Sequence, residues 1–465
     1  MNKKTFGTKS WIITGVVILL VLFGRLVAPI SALGVGGNTA LFYMLGIVIL
    51  LLTNVFPVGL IAIISIAFLP ILALTDSLDT AAQMFGSTMF WFSLACFAIA
   101  AVMTKLPLSK RISLLILKIA PKNINGVISA LFIATAVLSA FMSNFSAAII
   151  LTAIAKQFLE IYNNEEDRKK SKSSLFIAIV LGAAIGGIVT PMGSGCMVIA
   201  KSALEKAGYS ISFVSWIVFG LPVAIVMFFA TLFVLTHFLK PVPLDSEKIE
   251  AYIKKMQSEL PDKWTLQEIL ATVILGVTLI CWLMNFNMIL VALICTVMLL
   301  FPGFGILGYD EFEKETGWGT VMLIPALMVV VSVLAQQGVL TWVVNGMLKV
   351  IPENASSFVV IAIFGVFIAA ILIVMPSGPV ITTVMVPIAI ELGTKIGVHP
   401  VALGLAVAFF ATFGFIIPTE TVALMISDGG KNFSSKDLPK IGLPVSIVAI
   451  IACALWLPIC TGFFF

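Results

Sequence analysis

Charge is scarce in this sequence: Lys, Arg, Asp and Glu together make up 11% of the chain, where an ordinary soluble domain carries roughly a quarter. With 60% of residues hydrophobic, one soluble core could not hide so much apolar surface, and that class is excluded. Histidine is scarcer still. His237 and His399 stand alone in loops or at segment edges, with no partner at metal-ligand spacing, and are read as incidental. The six cysteines (Cys96, Cys196, Cys281, Cys295, Cys453 and Cys460) fall singly within apolar runs, without paired disulfide or metal spacing, so packing is their expected role. No Gly-rich loop ending in Lys-Ser/Thr is present, which argues against an ATP-driven pump. Neither a Ser-His-Asp nor a metal-hydrolase arrangement is evident. An enzyme is not expected, nor is an organic cofactor.

What is abundant is apolar sequence in long runs. Crossing a bilayer takes roughly 20 apolar residues, and segments such as 11–30, 211–236 and 439–460 reach that length. Further candidates lie near 39–53, 55–75, 88–104, 174–201, 266–283, 286–301, 319–337 and 400–426, about eleven in all. The first follows Lys3, Lys4 and Lys9 but has no clear small-residue cleavage site after it, so it reads as a retained span and not a signal peptide.

The net charge of +5 does not imply nucleic acid, because the basic residues sit in a few short inter-helix segments. These are the N-terminus, Lys105 to Lys122, Arg168 to Lys172, Lys240 to Lys263 and Lys431 to Lys440. If all are cytoplasmic, the positive-inside rule is satisfied and the N-terminus is cytoplasmic. Lys156 and Lys201, near the ends of apolar segments, are expected to snorkel to the interface.

Two regions differ from simple spans. Residues 123–160 and 355–396 each hold two apolar arms around a small polar break, Ser143-Asn144 in one and Ser377-Gly378-Pro379 in the other. A full crossing would strand those tips in lipid, so each is expected to be a re-entrant hairpin with its tip buried in protein. Each is followed by an apolar helix interrupted in its second half: Gly186-Gly187-Ile188-Val189-Thr190-Pro191-Met192-Gly193-Ser194-Gly195, and Phe413-Gly414-Phe415-Ile416-Ile417-Pro418-Thr419-Glu420-Thr421. Aligning Pro191 with Pro418 superposes Gly187 on Gly414 and sets Gly193 opposite Glu420. The first hairpin leaves through the basic Arg168 to Lys172 and the second through Glu391 to His399, so the repeats are inverted, an architecture shared by many secondary transporters.

The expected fold is an all-α integral membrane protein of about eleven transmembrane helices plus two re-entrant helical hairpins in two inverted repeats. Its divisions are an N-terminal span over 1–35 and a first repeat over 36–236, with hairpin 123–160 and broken helix 174–201. A cytoplasmic linker over 237–265 leads to a second repeat over 266–426, with hairpin 355–396 and broken helix 400–426, and then to a C-terminal span over 427–465. The spacing of Ile249, Tyr252, Ile253 and Met256 predicts a surface helix in the linker.

These residues resemble the divalent-anion:sodium symporter family, within the ion transporter superfamily. In the first repeat the likeness is carried by Phe85-Gly86-Ser87 before Trp91, Lys110-Arg111-Ile112, Leu138-Ser139, Ser143-Asn144, Gly186-Gly187 and Thr190-Pro191-Met192-Gly193. In the second it is carried by Trp318-Gly319, Ser377, Pro387, Phe413-Gly414-Phe415 and Pro418, so that it spans roughly residues 40–460. The family's hairpin tips read Ser-Asn-Thr, with side chains for substrate carboxylate and backbone for sodium. Here the motifs are altered: Phe145 replaces the first Thr, the second tip lacks both Asn and Thr, and Ile373 stands opposite Ser139.

By resemblance, a Na+ site is implied at Ser139, Ser143, Asn144 and Gly193, while a second sodium site lacks its residues. Substrate is expected between the tips and the broken helices, at Ser143, Asn144, Thr190, Ser194, Ser377, Thr419 and Thr421. Glu420 is a carboxylate within a span, a functional candidate by default. It could replace lost sodium ligands, carry a proton, or sit at the cytoplasmic mouth paired with a lysine such as Lys431.

The resulting expectation is a secondary active transporter of small anions, di- or tricarboxylates first, coupled to Na+ or H+ by elevator-type alternating access. It would sit in a bacterial-type plasma membrane, with the lipid bilayer and a second copy, as a homodimer, for partners. The alternatives are a cation-independent anion exchanger, a carrier of a monoanion, zwitterion or sulfate, and, from another class, a channel or a non-transporting receptor.

Overall fold

The architecture was obtained as a computed structural model, which describes residues 7–27, 30, 32–53, 55–349, 351–352, 355–374, 377–416 and 437–465. Among these residues all regular structure is helical. The chain begins with α1 (Thr8–Leu26), α2 (Gly34–Thr53), α3 (Val58–Ile71), the short α4 (Leu78–Ala82) and α5 (Thr88–Lys105). Next come α6 (Leu108–Ile119), α7 (Ile124–Ser139), α8 (Asn144–Leu159), α9 (Glu165–Gly186), α10 (Gly195–Lys206) and α11 (Phe213–Leu239). The linker carries α12 (Ser246–Ser258) and leads to α13 (Leu266–Leu283), α14 (Met288–Leu300), α15 (Tyr309–Glu315), α16 (Trp318–Gln336) and α17 (Val339–Leu348). The last four are α18 (Ser357–Val374), α19 (Gly378–Ile396), α20 (Pro400–Thr412) and α21 (Asp437–Phe464).

Seven of the described helices, α2, α5, α11, α13, α16, α19 and α21, are long and apolar enough to cross a membrane, and eight shorter apolar helices accompany them. Their patterning sorts them into two kinds. Every residue of α20 is buried, as is every residue of α9 from Ser173 onward, so both are apolar all round and central. On α13, by contrast, Ile269, Val273, Val277 and Ile280 all face outward, which suits a helix whose outer face meets lipid.

Packing follows from that division. Both α7 and α8 rest on α9, and both α18 and α19 rest on α20; α10 packs on α19 and α20, joining the two groups. Small residues permit the closest of these approaches. A Cβ at Gly182 would lie 2.6 Å from Phe132 O and one at Gly186 would lie 2.2 Å from Ala136 O, so α7 and α9 meet backbone to backbone.

Helix starts are set by local chemistry. Asn123 caps α7 by accepting from Gly126 N (2.8 Å), and Asn164 caps α9 by accepting from Glu166 N (3.0 Å), with Glu165, Glu166 and Asp167 in the favourable first turn. Thr265 and Glu268 form a reciprocal capping box on α13. Glu268 is fully buried, and its charge is met by Arg111 of α6 at 2.8 Å, whose guanidinium also lies 4.8 Å over Trp264 and donates to Pro261 O. The linker helix α12 buries Ile249, Tyr252, Ile253 and Met256 along one face, the four positions that the spacing marks. Tyr252 donates to Ile154 O (2.9 Å) and meets Phe158 edge-on.

Lys201 departs from expectation. It does not reach the interface: it is 2% exposed, paired with Glu205 one turn on, and donates to Ile211 O (3.2 Å). A lysine in a packed helix needs such partners, and Glu205 and the Ile211 carbonyl supply them.

Candidate functional site

Ala140, Phe141, Met142 and Ser143 separate α7 from α8, and the polar groups around this break converge on the end of α9. Ser139, fully buried, donates to Ala183 O at 2.7 Å. The Asn144 side chain is surrounded there by acceptors, so its amide nitrogen must face inward. It then donates to Gly193 O (2.9 Å) and to Ser139 Oγ (2.6 Å), with Ala183 O also within reach at 3.2 Å. Ser139 thus accepts from Asn144 while donating to α9, and the network is satisfied.

Two glycines make this closeness possible. A Cβ on Gly187 would fall 2.3 Å from the Asn144 amide, and one on Gly193 would fall 2.6 Å from Gly187 O and 2.9 Å from Ser139 O. Any larger residue would push the tip off the break. Backbone carbonyls of Ser139, Gly187 and Gly193 therefore lie in one small volume beside the Ser139 hydroxyl. Those oxygens suit a hard monovalent cation once the Asn144 amide turns its Oδ1 inward in place of the NH2 that now holds Gly193 O and Ser139 Oγ. Thr190, 2% exposed, donates to Ala140 O and pins the break to the tip.

Ser143 does something narrower. Its Oγ caps α8, accepting from Ser146 N (3.1 Å) and sharing a hydrogen bond with Ser146 Oγ (2.9 Å). Ser146 carries no signal of its own beyond being a Ser at the third position after a capping Ser. Phe145 is 43% exposed, so the residue in the Thr position points away from the cluster.

The second tip is arranged differently. Ser377 occupies the N-cap position of α19 but makes no side-chain cap, and Ile373 is 44% exposed. Gly378 is wedged against α20 and α10: a Cβ there would lie 2.3 Å from Ala411 O and 3.0 Å from Cys196 Sγ. Cys196 is buried, with Thr382, Thr412 and Ser194 around its thiol. Thr382 and Thr412 give their protons to Gly378 O and Ala408 O, so both present lone pairs to that sulfur. Ser194, at the N-cap position of α10, makes no cap, and its Oγ is buried without a hydrogen-bond partner. Cys196 is expected from sequence only to pack, and nothing local joins it to Thr382 and Thr412, which lie far from it in the chain.

Of the sequence-marked residues, Ser139, Ser143, Asn144, Thr190 and Gly193 gather at the first tip, and Ser194 and Ser377 lie at the junction of α10 with the second. Thr419, Glu420 and Thr421 lie outside the described residues.

Seven helices long and apolar enough to cross a membrane, with α9 interrupted over Gly187 to Ser194 before α10, mark a multi-pass membrane protein. Comparison with known proteins gives the family. The model described as the sodium:sulfate symporter transmembrane region matches residues 9–461, and the chain belongs to that family, the divalent-anion:sodium symporters. Over 436 residues it is 24% identical to the sodium-dependent dicarboxylate transporter SdcS of Staphylococcus saprophyticus, covering 87% of this chain and 82% of that protein. It is 23% identical over 431 residues to the protein of the same name from Staphylococcus aureus strain USA300, covering 86% and 81%. Among solved structures it is similar to the YdaH transporter of Alcanivorax borkumensis, with a TM-score of 0.55 and 12% identity over 83% of this chain and 88% of that one, a likeness of fold alone.

Proposed function

We propose that this protein is a secondary active transporter of small anions, di- or tricarboxylates first, driven by a sodium ion held at Ser139, Asn144 and the Gly193 backbone, with Ser143 shaping the tip. The observation that carries the reading is the meeting of two uncapped helix N-termini, those of α10 and α19. A Cβ at Gly195 would lie 3.8 Å from Pro379 Cγ, and Ser194 and Ser377 leave the first turns uncapped by side chains. Free N–H groups and positive dipole ends favour an anion there. Thr190, Ser194, Ser377, Thr419 and Thr421 are proposed to contact the substrate. The names of the SdcS relatives favour sodium and a dicarboxylate.

In this reading the first hairpin is α7–α8 and the second α18–α19, lying in two inverted repeats over 36–236 and 266–426, with the N-terminus cytoplasmic and two copies forming a dimer. Alternating access moves the hairpins against the outer helices. A second reading concerns coupling. The second tip presents a thiol and an exposed Ile373 where the first presents Asn144 and Ser139, which favours one sodium site, not two. Glu420 is then the candidate for a second cation or a proton taken up with substrate.

Uptake of labelled succinate, citrate or sulfate into proteoliposomes, with an inward sodium gradient against potassium, tests the proposal. Sodium-dependent accumulation of a dicarboxylate is expected. Equal uptake in potassium would turn the reading to a cation-independent exchanger, and conductance far above carrier rates would turn it to a channel.

A further inference from the structure

At the far end of α8 from its tip, a cavity of about 450 Å³ opens between the last turn of α8 and the first turns of α9. Four cations line it, Lys156 from α8 and Arg168, Lys169 and Lys172 from α9, against two carboxylates, Glu160 and Glu165. Glu165 is engaged by Lys169 at 3.1 Å. Lys156 and Lys172 are close enough to repel one another. Arg168 donates from Nη2 to Tyr162 O (3.3 Å), yet its Nε is buried and has no hydrogen-bond partner. Four cations against two carboxylates, with the Arg168 Nε–H unsatisfied among the described residues, give the cavity the charge and a donor to hold an anion.

We infer that this cavity binds the phosphodiester headgroup of an anionic lipid of the cytoplasmic leaflet. The inference rests on the proposed entry of α7–α8 from that side. Lys156 lies twelve residues beyond Asn144, a rise of roughly 18 Å, while half a hydrocarbon core is about 15 Å, so a tip at mid-depth puts these cations among the headgroups. Basic cavities between helices at that level suit anionic headgroups, and the guanidinium of Arg168 suits a phosphate. The lipid would tie the base of the first hairpin to the bilayer surface.

The test uses the purified full-length protein in neutral phosphatidylcholine nanodiscs, its unfolding midpoint recorded with and without phosphatidylglycerol, and separately with inorganic phosphate at matched ionic strength. Phosphatidylglycerol is expected to raise the midpoint, and inorganic phosphate to leave it unmoved. In Lys156→Gln and Lys172→Gln the lipid preference should fall roughly fivefold each, the equivalent of about 1 kcal/mol per cation. Lys254→Gln and Lys255→Gln, exposed on α12, should keep it. An equal shift in the Lys156→Gln/Lys172→Gln double variant would overturn the site, as would an inorganic phosphate shift matching that of the lipid. Uptake is read in parallel: a lysine-dependent lipid shift in a protein that does not transport upholds this site and rejects the transport reading, and normal uptake without the shift does the reverse.

Discussion

At the first tip the polar groups turn inward: Ser139 and Asn144 bond to each other and to carbonyls of the broken helix, and Phe145 is left facing out. At the second tip, Gly378 presses on Ala411 O and on the Cys196 thiol, and Ile373 faces out where its counterpart Ser139 is fully buried. One region is therefore a closed hydrogen-bonded cluster joining the α7–α8 break to the end of α9. The other is a junction of α10 with α19 and α20, built from a sulfur, three hydroxyls and a helix start without a side-chain cap. The same pairing of a break with a helix can make a cation cradle or an anion cradle, depending on which ends of the backbone it exposes.

The comparison is broken most sharply at Asn144. Asn144→Ala removes the donor to Gly193 O and empties the cluster, so sodium-driven uptake should drop on the order of 100-fold, the scale of losing a ligand or its immediate support. Membrane-inserted, folded protein with unchanged uptake would mean that the cluster only holds the tip in place. Next is Gly378→Ala. The added carbon has no room, and the displacement of α19 should cost about tenfold in uptake by the usual penalty of overpacking, with sodium affinity less affected. A variant that changed sodium affinity more than uptake would erase the proposed division of labour.

Ser143→Ala tests whether that hydroxyl caps or coordinates. As a cap alone it should lower stability by about 1 kcal/mol and uptake only severalfold, seen in thermal unfolding and initial rates. A loss equal to that of Asn144→Ala would make it a ligand. The smallest effect is expected from Phe145→Thr, which restores the family residue at an exposed position and should leave uptake within about twofold. A large gain would put that position in the site.

Much of this was legible in the chain before its structure. The apolar runs, the polar breaks at Ser143-Asn144 and Ser377-Gly378-Pro379, and the interrupted stretch after Gly186 all have local signatures, and the helices fall where those signatures put them. The spacing of Ile249, Tyr252, Ile253 and Met256 likewise marked the buried face of α12. What stayed hidden depends on residues distant in sequence. Nothing local in Cys196 announces Thr382 and Thr412 as neighbours. For Lys201 the i,i+4 partner Glu205 was visible, but its burial by the surrounding helices was not. The use of the Ser143 hydroxyl as a cap also follows from backbone geometry, since a capping Ser and a ligating Ser are spelled alike.

The linker's attachment bears on where this protein can be divided. Val242 N donates to Ser171 Oγ and Val242 O accepts from Tyr162, while Tyr252 reaches Ile154 O, so residues 242–256 are clasped to α8 and α9 although they follow α11. Past Leu260 the chain runs exposed through Asp262 and Lys263 before Thr265 starts α13. Two separately encoded fragments meeting at Asp262 and Lys263 would each keep their own contacts and could reassemble, whereas a cut near Val242 would strip the first fragment of its own clasp.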